Sequence, residues 1–342
     1  MNTAVIIDKH TVAIETAAQP TLKDDEVLIK VLYAGLCGSD VHLFHDEHPF
    51  RKPPMIPGHE LAGEIAAVGP AVKSHRVGDR VVVNHAIPCG QCRYCKAGQI
   101  NICPDKIVAG SARMMGFFAE YVNVPERTLY KIEDGISMQQ AAIAEPLSIG
   151  YHIMRRLSHL RQDEPIAIIG TGTIGLVALI AAKSLGYTEV YCLDTIDYNL
   201  DIAVKLGASG AFNPLRDAAA AEVLKATGGF GASGTIVTAM ARGILTDAFA
   251  LSSLQATIVM LPMTAQLMEA NFYRLVSGEQ ALIGCRGIVE QDFADAVKLI
   301  NSGYDLSPLI THVMPLADTQ RAFELMVDRT EPVIKILIAP HE

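Results

Sequence analysis

Ile166-Ala167-Ile168-Ile169-Gly170-Thr171-Gly172-Thr173-Ile174-Gly175 is a short apolar strand that runs into a glycine-rich turn and on into a helix predicted over Ile174–Leu185. Glycines at this spacing permit a tight turn, close approach of backbone to a pyrophosphate, and close packing of helix on strand. The helix N-terminus then points its unpaired amides at the phosphates. Taken alone such a motif is weak; its strand-to-helix context makes it a dinucleotide signature. Gly170, Gly172, Thr173, Ile174 and Gly175 are the expected cofactor contacts. The next apolar strand, Val190–Leu193, leads to Asp194, about twenty residues past the glycines, where a carboxylate binds the adenosine ribose hydroxyls. It would repel the extra phosphate of NADP, and no arginine follows it closely, so NAD is the expected cofactor. The plainer reading of Asp194 is a solvated strand-end residue.

Outward from this turn the chain reads as strands alternating with helices. Helix Leu200–Leu206 and strands near Thr235–Val237 and Thr257–Leu261 continue the pattern, which specifies a parallel sheet with crossover helices. This α/β stretch spans residues 149–287. Residues 1–148 differ, with short β-type runs such as Glu26–Tyr33 and Arg80–Val83 between Gly and Pro turns. The tail mixes helices around Gln291–Asn301 and Ala317–Val327 with a last strand, Val333–Ile338.

Two sets of metal-binding residue types lie in the first stretch. Cys89, Cys92, Cys95 and Cys103 form C-x2-C-x2-C-x7-C on a turn-rich loop, the ligand set of a closed tetrahedral zinc site. The second set is dispersed: Gly35-Leu36-Cys37-Gly38-Ser39-Asp40-Val41-His42, then Pro57-Gly58-His59-Glu60, then Ala144-Glu145-Pro146-Leu147. Singly, each residue is more often core or a solvated side chain. Together they offer a thiolate, an imidazole and a carboxylate, which can hold zinc with a coordination position open.

These motifs in this order resemble the zinc-dependent medium-chain dehydrogenase/reductase family, within the alcohol dehydrogenase superfamily, and its sorbitol (polyol) dehydrogenase branch in particular. The resemblance covers essentially the whole chain. It implies a GroES-like β-barrel catalytic domain, residues 1–148 completed by 288–342, and a Rossmann doubly wound parallel sheet over 149–287. It also implies two zinc ions per subunit: a catalytic one on Cys37, His59 and Glu145, and a structural one on the four cysteines. Glu60, beside His59, would bind the catalytic zinc in some states or bridge to it through water. Asp40 would orient His59. Ser39 corresponds to the hydroxyl that takes the substrate proton and His42 to the relay histidine. Ser39 also fits a helix cap, and His42 an ordinary surface histidine. Arg286 matches an arginine near substrate and nicotinamide, or else a strand-end ion pair. His45 and His48 read as loop residues. Asn199 stands where relatives carry Lys or Arg, and Met240 where they have a small turn residue.

Glutamate at position 145, where simple-alcohol enzymes carry a second cysteine, resembles the polyol branch. The implied activity is hydride transfer between NAD and a secondary alcohol of a polyol, sugar acid or sugar-alcohol phosphate. Alternatives are a ketone or aldehyde reductase, a threonine-type dehydrogenase and, remotely, a non-catalytic NAD-binding protein. Methionines in Arg113-Met114-Met115-Gly116-Phe117-Phe118 and at Met263 depart from the branch and suit a more permissive surface. The chain of 342 residues carries net charge −9 without a basic run, which argues against nucleic acid and anionic membranes as partners. Five cysteines used as thiolates need a reducing compartment, so the cytoplasm is expected, and the resemblance implies a homodimer or homotetramer.

Overall fold

The computed structural model describes every residue except 265. The chain forms two compact units: Met1–Glu145 with Val289–Glu342, and Pro146–Ile288.

In the first unit a mixed sheet runs, edge to edge, through Ile310–Pro315, Lys335–Ala339, Glu26–Gly35, Glu60–Val68, Arg80–Val83 and Leu129–Lys131, with Tyr121–Pro125 also paired to Glu26–Gly35. Glu26–Gly35 is central, and its Val27, Ile29 and Val31 are fully buried in the core. Phe117, Phe118 and Phe323 fill the interior, and Phe44 stacks on Phe323 with ring centroids 4.8 Å apart. Two features of this sheet bear on function. Gly35 pairs opposite Glu60, and Leu337 pairs with Gly35 from the other side. The strand carrying Lys335, the glycine and the strand carrying Glu60 are thus adjacent in that order. A Cβ on Gly35 would lie 1.8 Å from Glu60 Oε2, so only glycine leaves room for that carboxylate. A two-residue ribbon, Ala86–Ile87 against Ile107–Val108, closes the base of the cysteine loop.

The second unit is a six-stranded parallel sheet ordered Gly210–Phe212, Val190–Leu193, Ile166–Ile169, Ala232–Val237, Ser252–Met260, Ala281–Gly284. Chain order runs one way from Ile166–Ile169 and the other way from Ala232–Val237. The C-terminal ends of those two strands form the topological switch point where doubly wound sheets bind ligands. Gly170 lies there at φ +92°, and a Cβ on it would meet Ala239 and Thr238 at 2.7 Å. Helix Thr173–Ser184 leaves the turn with residues Gly175 to Ala182 all buried, as an apolar helix packed on a sheet must be. No helix among the described residues is long and apolar enough to cross a membrane.

Candidate metal centres and dinucleotide loop

The four-cysteine loop folds on itself. Cys92 caps the single helical turn Arg93–Lys96, its sulfur accepting the Cys95 amide at 3.5 Å. Cys92 and Cys95 Sγ lie 3.5 Å apart, and Cys89 and Cys95 Sγ 3.9 Å. All four sulfurs fall within 4.8 Å of one another, and none forms a disulfide. A zinc tetrahedron with ordinary Zn–S bonds has S···S edges of about 3.8 Å, so the loop already has the size the ion needs. The Gln91 and Cys92 amides hold the Cys89 thiol down to about 7, while burial and the Cys92 sulfur push Cys95 up to about 12.

The second centre is built from the sheet described above. Cys37 follows the central strand and begins helix Gly38–Phe44; its N–H donates to Asp40 Oδ2 at 3.3 Å. Asp40 is wholly buried. It also accepts Arg51 Nη1 at 3.1 Å and the Gly58 amide at 3.4 Å, and it faces His59 Nδ1 at 3.6 Å. Burial alone would raise its pKa, but the charge and hydrogen bond of His59, with Arg51, hold it well below the usual carboxylate range. With Nδ1 turned to Asp40, the His59 ring offers Nε2 to a metal, the usual arrangement for a ligating histidine.

Cys37, His59 and Glu60 place one ligand atom each within 4.8 Å of one another. Glu60 is nevertheless engaged. Lys335 Nζ donates to its Oε1 at 2.7 Å, to Oε2 at 2.9 Å and to the Leu36 carbonyl at 3.0 Å. Burial would depress the Lys335 pKa, but Glu60, Cys37 and Glu145 raise it instead. Glu145 lies outside the tight triad, with Oε1 3.4 Å from His85 Nδ1. Its pKa is pushed up to about 7 by burial, with His59 opposing and Glu60 adding to the rise.

The donor set fits a divalent cation. Among the described residues the acidic groups Cys37, Asp40, Glu60 and Glu145 lie in this neighbourhood, with Arg51 paired to Asp40 and Lys335 to Glu60. A thiolate, an imidazole and a carboxylate brought this close are the donor types that would hold zinc. Beyond the Glu145 carboxylate at 3.4 Å, the buried Nδ1 of His85 has no hydrogen-bond partner among the described residues, and its ring lies edge-on to His59, centroids 5.1 Å apart. Burial, and then the charge of His59, keep this ring's pKa well below its ordinary value.

Ser39 and His42 lie three residues apart on one helix, so they share a face. Ser39 is half-buried and its Oγ accepts Arg51 Nη2 at 3.1 Å. The His42 side chain is 64% exposed, with Glu47 4.0 Å from its Nδ1. Lys335, Arg51 and His85 are the members of this neighbourhood that the sequence reading did not pick out. Lys335 carried a signal, a lone cation inside the apolar run Val333–Ile338.

In the second unit, Asp194 Oδ2 accepts the Thr171 amide at 2.6 Å, the Thr171 hydroxyl at 3.1 Å and Asn199 Nδ2 at 3.2 Å; Oδ1 accepts the Ile196 amide at 2.9 Å. The carboxylate is thereby tied directly to the glycine turn. Asn199 is buried and holds Asp194 through a neutral amide, so no cation at that position softens the charge. Thr238 Oγ1 donates to the Gly170 carbonyl, and Met240 is partly exposed. Arg286 is exposed just past the end of strand Ala281–Gly284. Asp194→Gly should lower the NAD-over-NADP preference by about a hundredfold, because like-charge repulsion of a 2′-phosphate is worth several kcal/mol. The ratio of kcat/KM for the two cofactors measures this, and an unchanged ratio would remove Asp194 from cofactor choice.

Residues 23–134 match the alcohol dehydrogenase GroES-like domain, and residues 173–302 the zinc-binding dehydrogenase domain. The chain is similar to the sorbitol dehydrogenase of Bacillus subtilis (strain 168), 32% identical over 100% of this chain and 98% of that protein. It is equally similar, at 32%, to the D-arabitol-phosphate dehydrogenase of Enterococcus avium, over 94% of this chain and 93% of the other. Among solved structures, an Escherichia coli oxidoreductase/dehydrogenase of unknown specificity superposes with a TM-score of 0.93 at 32% identity, covering 99% of this chain and 98% of that one. A GroES-like unit bearing these two donor clusters, a Rossmann unit with its glycine turn, and relatives matched end to end lead to one assignment: the chain belongs to the zinc-dependent medium-chain alcohol dehydrogenase family, in its polyol dehydrogenase-like branch.

Proposed function

We propose that the protein transfers a hydride between NAD and a secondary alcohol carried on a hydroxylated chain: a polyol, a sugar acid or a sugar-alcohol phosphate. The observation that carries the reading is the convergence of Cys37, His59 and Glu60, the last two buried, on one point of the GroES-like unit. When bound, zinc supplies the Lewis acidity that lowers the pKa of the substrate hydroxyl, and NAD takes the hydride. Cys37 and His59 are the proposed first two ligands, and Glu145 the third. Glu60 is retained by Lys335 and serves as the reserve ligand. Asp40 fixes the His59 ring, Ser39 receives the substrate proton, and His42 exchanges it with water. In the Rossmann unit Gly170, Gly172, Thr173, Ile174 and Gly175 hold the pyrophosphate, Asp194 the adenosine ribose, and Arg286 the nicotinamide end. Cys89, Cys92, Cys95 and Cys103 hold the structural zinc.

The five cysteines proposed as zinc thiolates need a reducing compartment, and the cytoplasm is the proposed location. Self-association as a homodimer or homotetramer is part of the same proposal. It is supported by the open edge strand Ala281–Gly284, with Leu254 and Leu282 exposed beside it, since an edge that is its own complement suits a two-fold interface.

The test combines zinc content with NAD reduction over D-sorbitol, xylitol, D-arabitol, their phosphates, gluconate-type sugar acids and threonine. Two zincs per chain and turnover confined to polyol-type substrates are expected. Preferential turnover of threonine would replace the substrate class, and a single zinc per chain would overturn the catalytic centre.

A further inference from the structure

Arg51 has no role in the reading above, yet it is 6% exposed and its guanidinium is bonded to two residues of the metal centre, Asp40 and Ser39. Its guanidinium forks. Nη1 donates to Asp40 Oδ1 at 3.1 Å, while Nη2 donates to the Ser39 carbonyl at 2.8 Å and the Ser39 hydroxyl at 3.1 Å. Its approach is prepared from two sides. The His48 Nδ1 accepts the backbone amides of Phe50 and Arg51 at 3.2 and 3.1 Å, which turns the chain inward. Gly110, at φ +68°, leaves space where a Cβ would come within 3.2 Å of Nη1.

We propose that Arg51 is a positioning residue that ties the proton-accepting hydroxyl of Ser39 to the carboxylate that orients His59, setting both with one rigid group. The proposal rests on Ser39 and His59 having the roles given above. The chemistry follows from hydrogen-bond inventory. A guanidinium has five donors and no acceptor, whereas a serine hydroxyl has one proton and two lone pairs. Arg51 fills one lone pair of Ser39 Oγ and cannot receive the Ser39 proton. That proton has to point away from Arg51. The remaining lone pair is left to take the substrate proton as Ser39 releases its own toward solvent, so the serine ends neutral and one proton has moved outward. The adjacent fixed charge also stabilises oxygen as the two transfers overlap. Lysine would supply the charge but, as a single ammonium, not the planar fork that spans two acceptors.

The experiment uses the zinc-loaded full chain and, from the panel above, the alcohol turned over fastest. Arg51→Lys, the variant that preserves charge and so stands the better chance of folding, and Arg51→Ala are compared with Ser39→Ala. Both Arg51 variants should retain two zincs, release the catalytic zinc to EDTA several-fold faster, and lose about tenfold to a hundredfold in kcat, a part of the roughly 10²–10⁴-fold that a positioned proton transfer contributes, with KM for NAD unchanged. The solvent deuterium isotope effect on kcat should rise. Guanidinium ion at millimolar concentration should restore Arg51→Ala at least threefold, and methylammonium should not. Unchanged kcat and isotope effect in Arg51→Lys would overturn the proposal, as would equal rescue by the two cations. Full activity of Ser39→Ala would instead overturn the relay reading, and Arg51 would then be judged by EDTA release alone: an unchanged rate refutes its link to His59.

Discussion

Cys37→Ala should give a folded protein that binds NAD normally, holds one zinc in place of two, and loses turnover by roughly a thousandfold or more. The magnitude follows from what the metal supplies: Lewis-acid stabilisation of several kcal/mol, at about 1.4 kcal/mol for each tenfold in rate. That the fold should survive follows from where Cys37 lies. It is at the junction between strand Glu26–Gly35 and helix Gly38–Phe44, partly exposed, and outside the apolar core of Val27, Ile29, Val31 and Phe323. Its sulfur contributes to a donor set, whereas its amide makes the bond to Asp40 that starts the helix, and alanine keeps that amide. The nucleotide loop belongs to the other unit and shares no residue with this one. Zinc analysis, NAD titration and thermal melting on one preparation separate the outcomes. Two zincs with undiminished turnover would remove Cys37 from the centre. A collapsed melting curve would mean that the site and the fold are less separable than the burial pattern implies.

What could be read in the sequence was whatever is local. The glycine turn is a strand, a tight turn and a helix within one short stretch, and the predicted helix Ile174–Leu185 is observed at Thr173–Ser184. The cysteine loop is equally local. Strand Val190–Leu193 is uninterrupted by polar residues and ends as expected. By contrast, the strand expected at Thr257–Leu261 begins at Ser252, which pairs with Ala232 across a register shift and whose hydroxyl lies 2.6 Å from that of Thr235. No local pattern announces that. Helix Ala219–Ala226 is also absent from the sequence reading, an alanine-rich run of only eight residues. At the centre, the sequence offers Glu60 as a zinc ligand in some states but not what restrains it. Its partner Lys335 lies 275 residues away, and the glycine that admits its carboxylate is 25 positions upstream on a neighbouring strand. His48 looked like a loop residue and is one, but its ring nitrogen shapes the loop that delivers Arg51. Which distant strands become neighbours is decided by topology, and no single local stretch of sequence carries it.

The second large effect is expected at that long-range pair. Lys335→Met should destabilise the protein by about 3–5 kcal/mol, the cost of leaving a buried charge without its partner. The pair is shielded from solvent, with side chains 2% and 1% exposed, so screening offers no discount. Methionine fills a similar volume but donates nothing to Glu60 or to the Leu36 carbonyl, which the ammonium bonds together. Glu60 then has two courses. It can take up a proton, or it can turn toward the position defined by Cys37 and His59 and become a standing zinc ligand. The second course would close the coordination position that substrate needs, so zinc would be held more tightly while kcat fell. Adding Glu60→Gln distinguishes these effects. The double variant replaces the ion pair with two neutral groups and should recover much of the lost stability, since a buried pair contributes little net stabilisation compared with the penalty of breaking it. Denaturant titrations of the two single variants and the double variant give the coupling energy directly. A coupling below about 1 kcal/mol would mean that the bond between Lys335 and Glu60 is incidental to the fold. A large coupling with unaltered zinc retention would mean that Lys335 supports the sheet without restraining the ligand. Tighter zinc in Lys335→Met, reversed by Glu60→Gln, is the result expected if the lysine keeps a fourth protein ligand off the metal so that the alcohol can take its place.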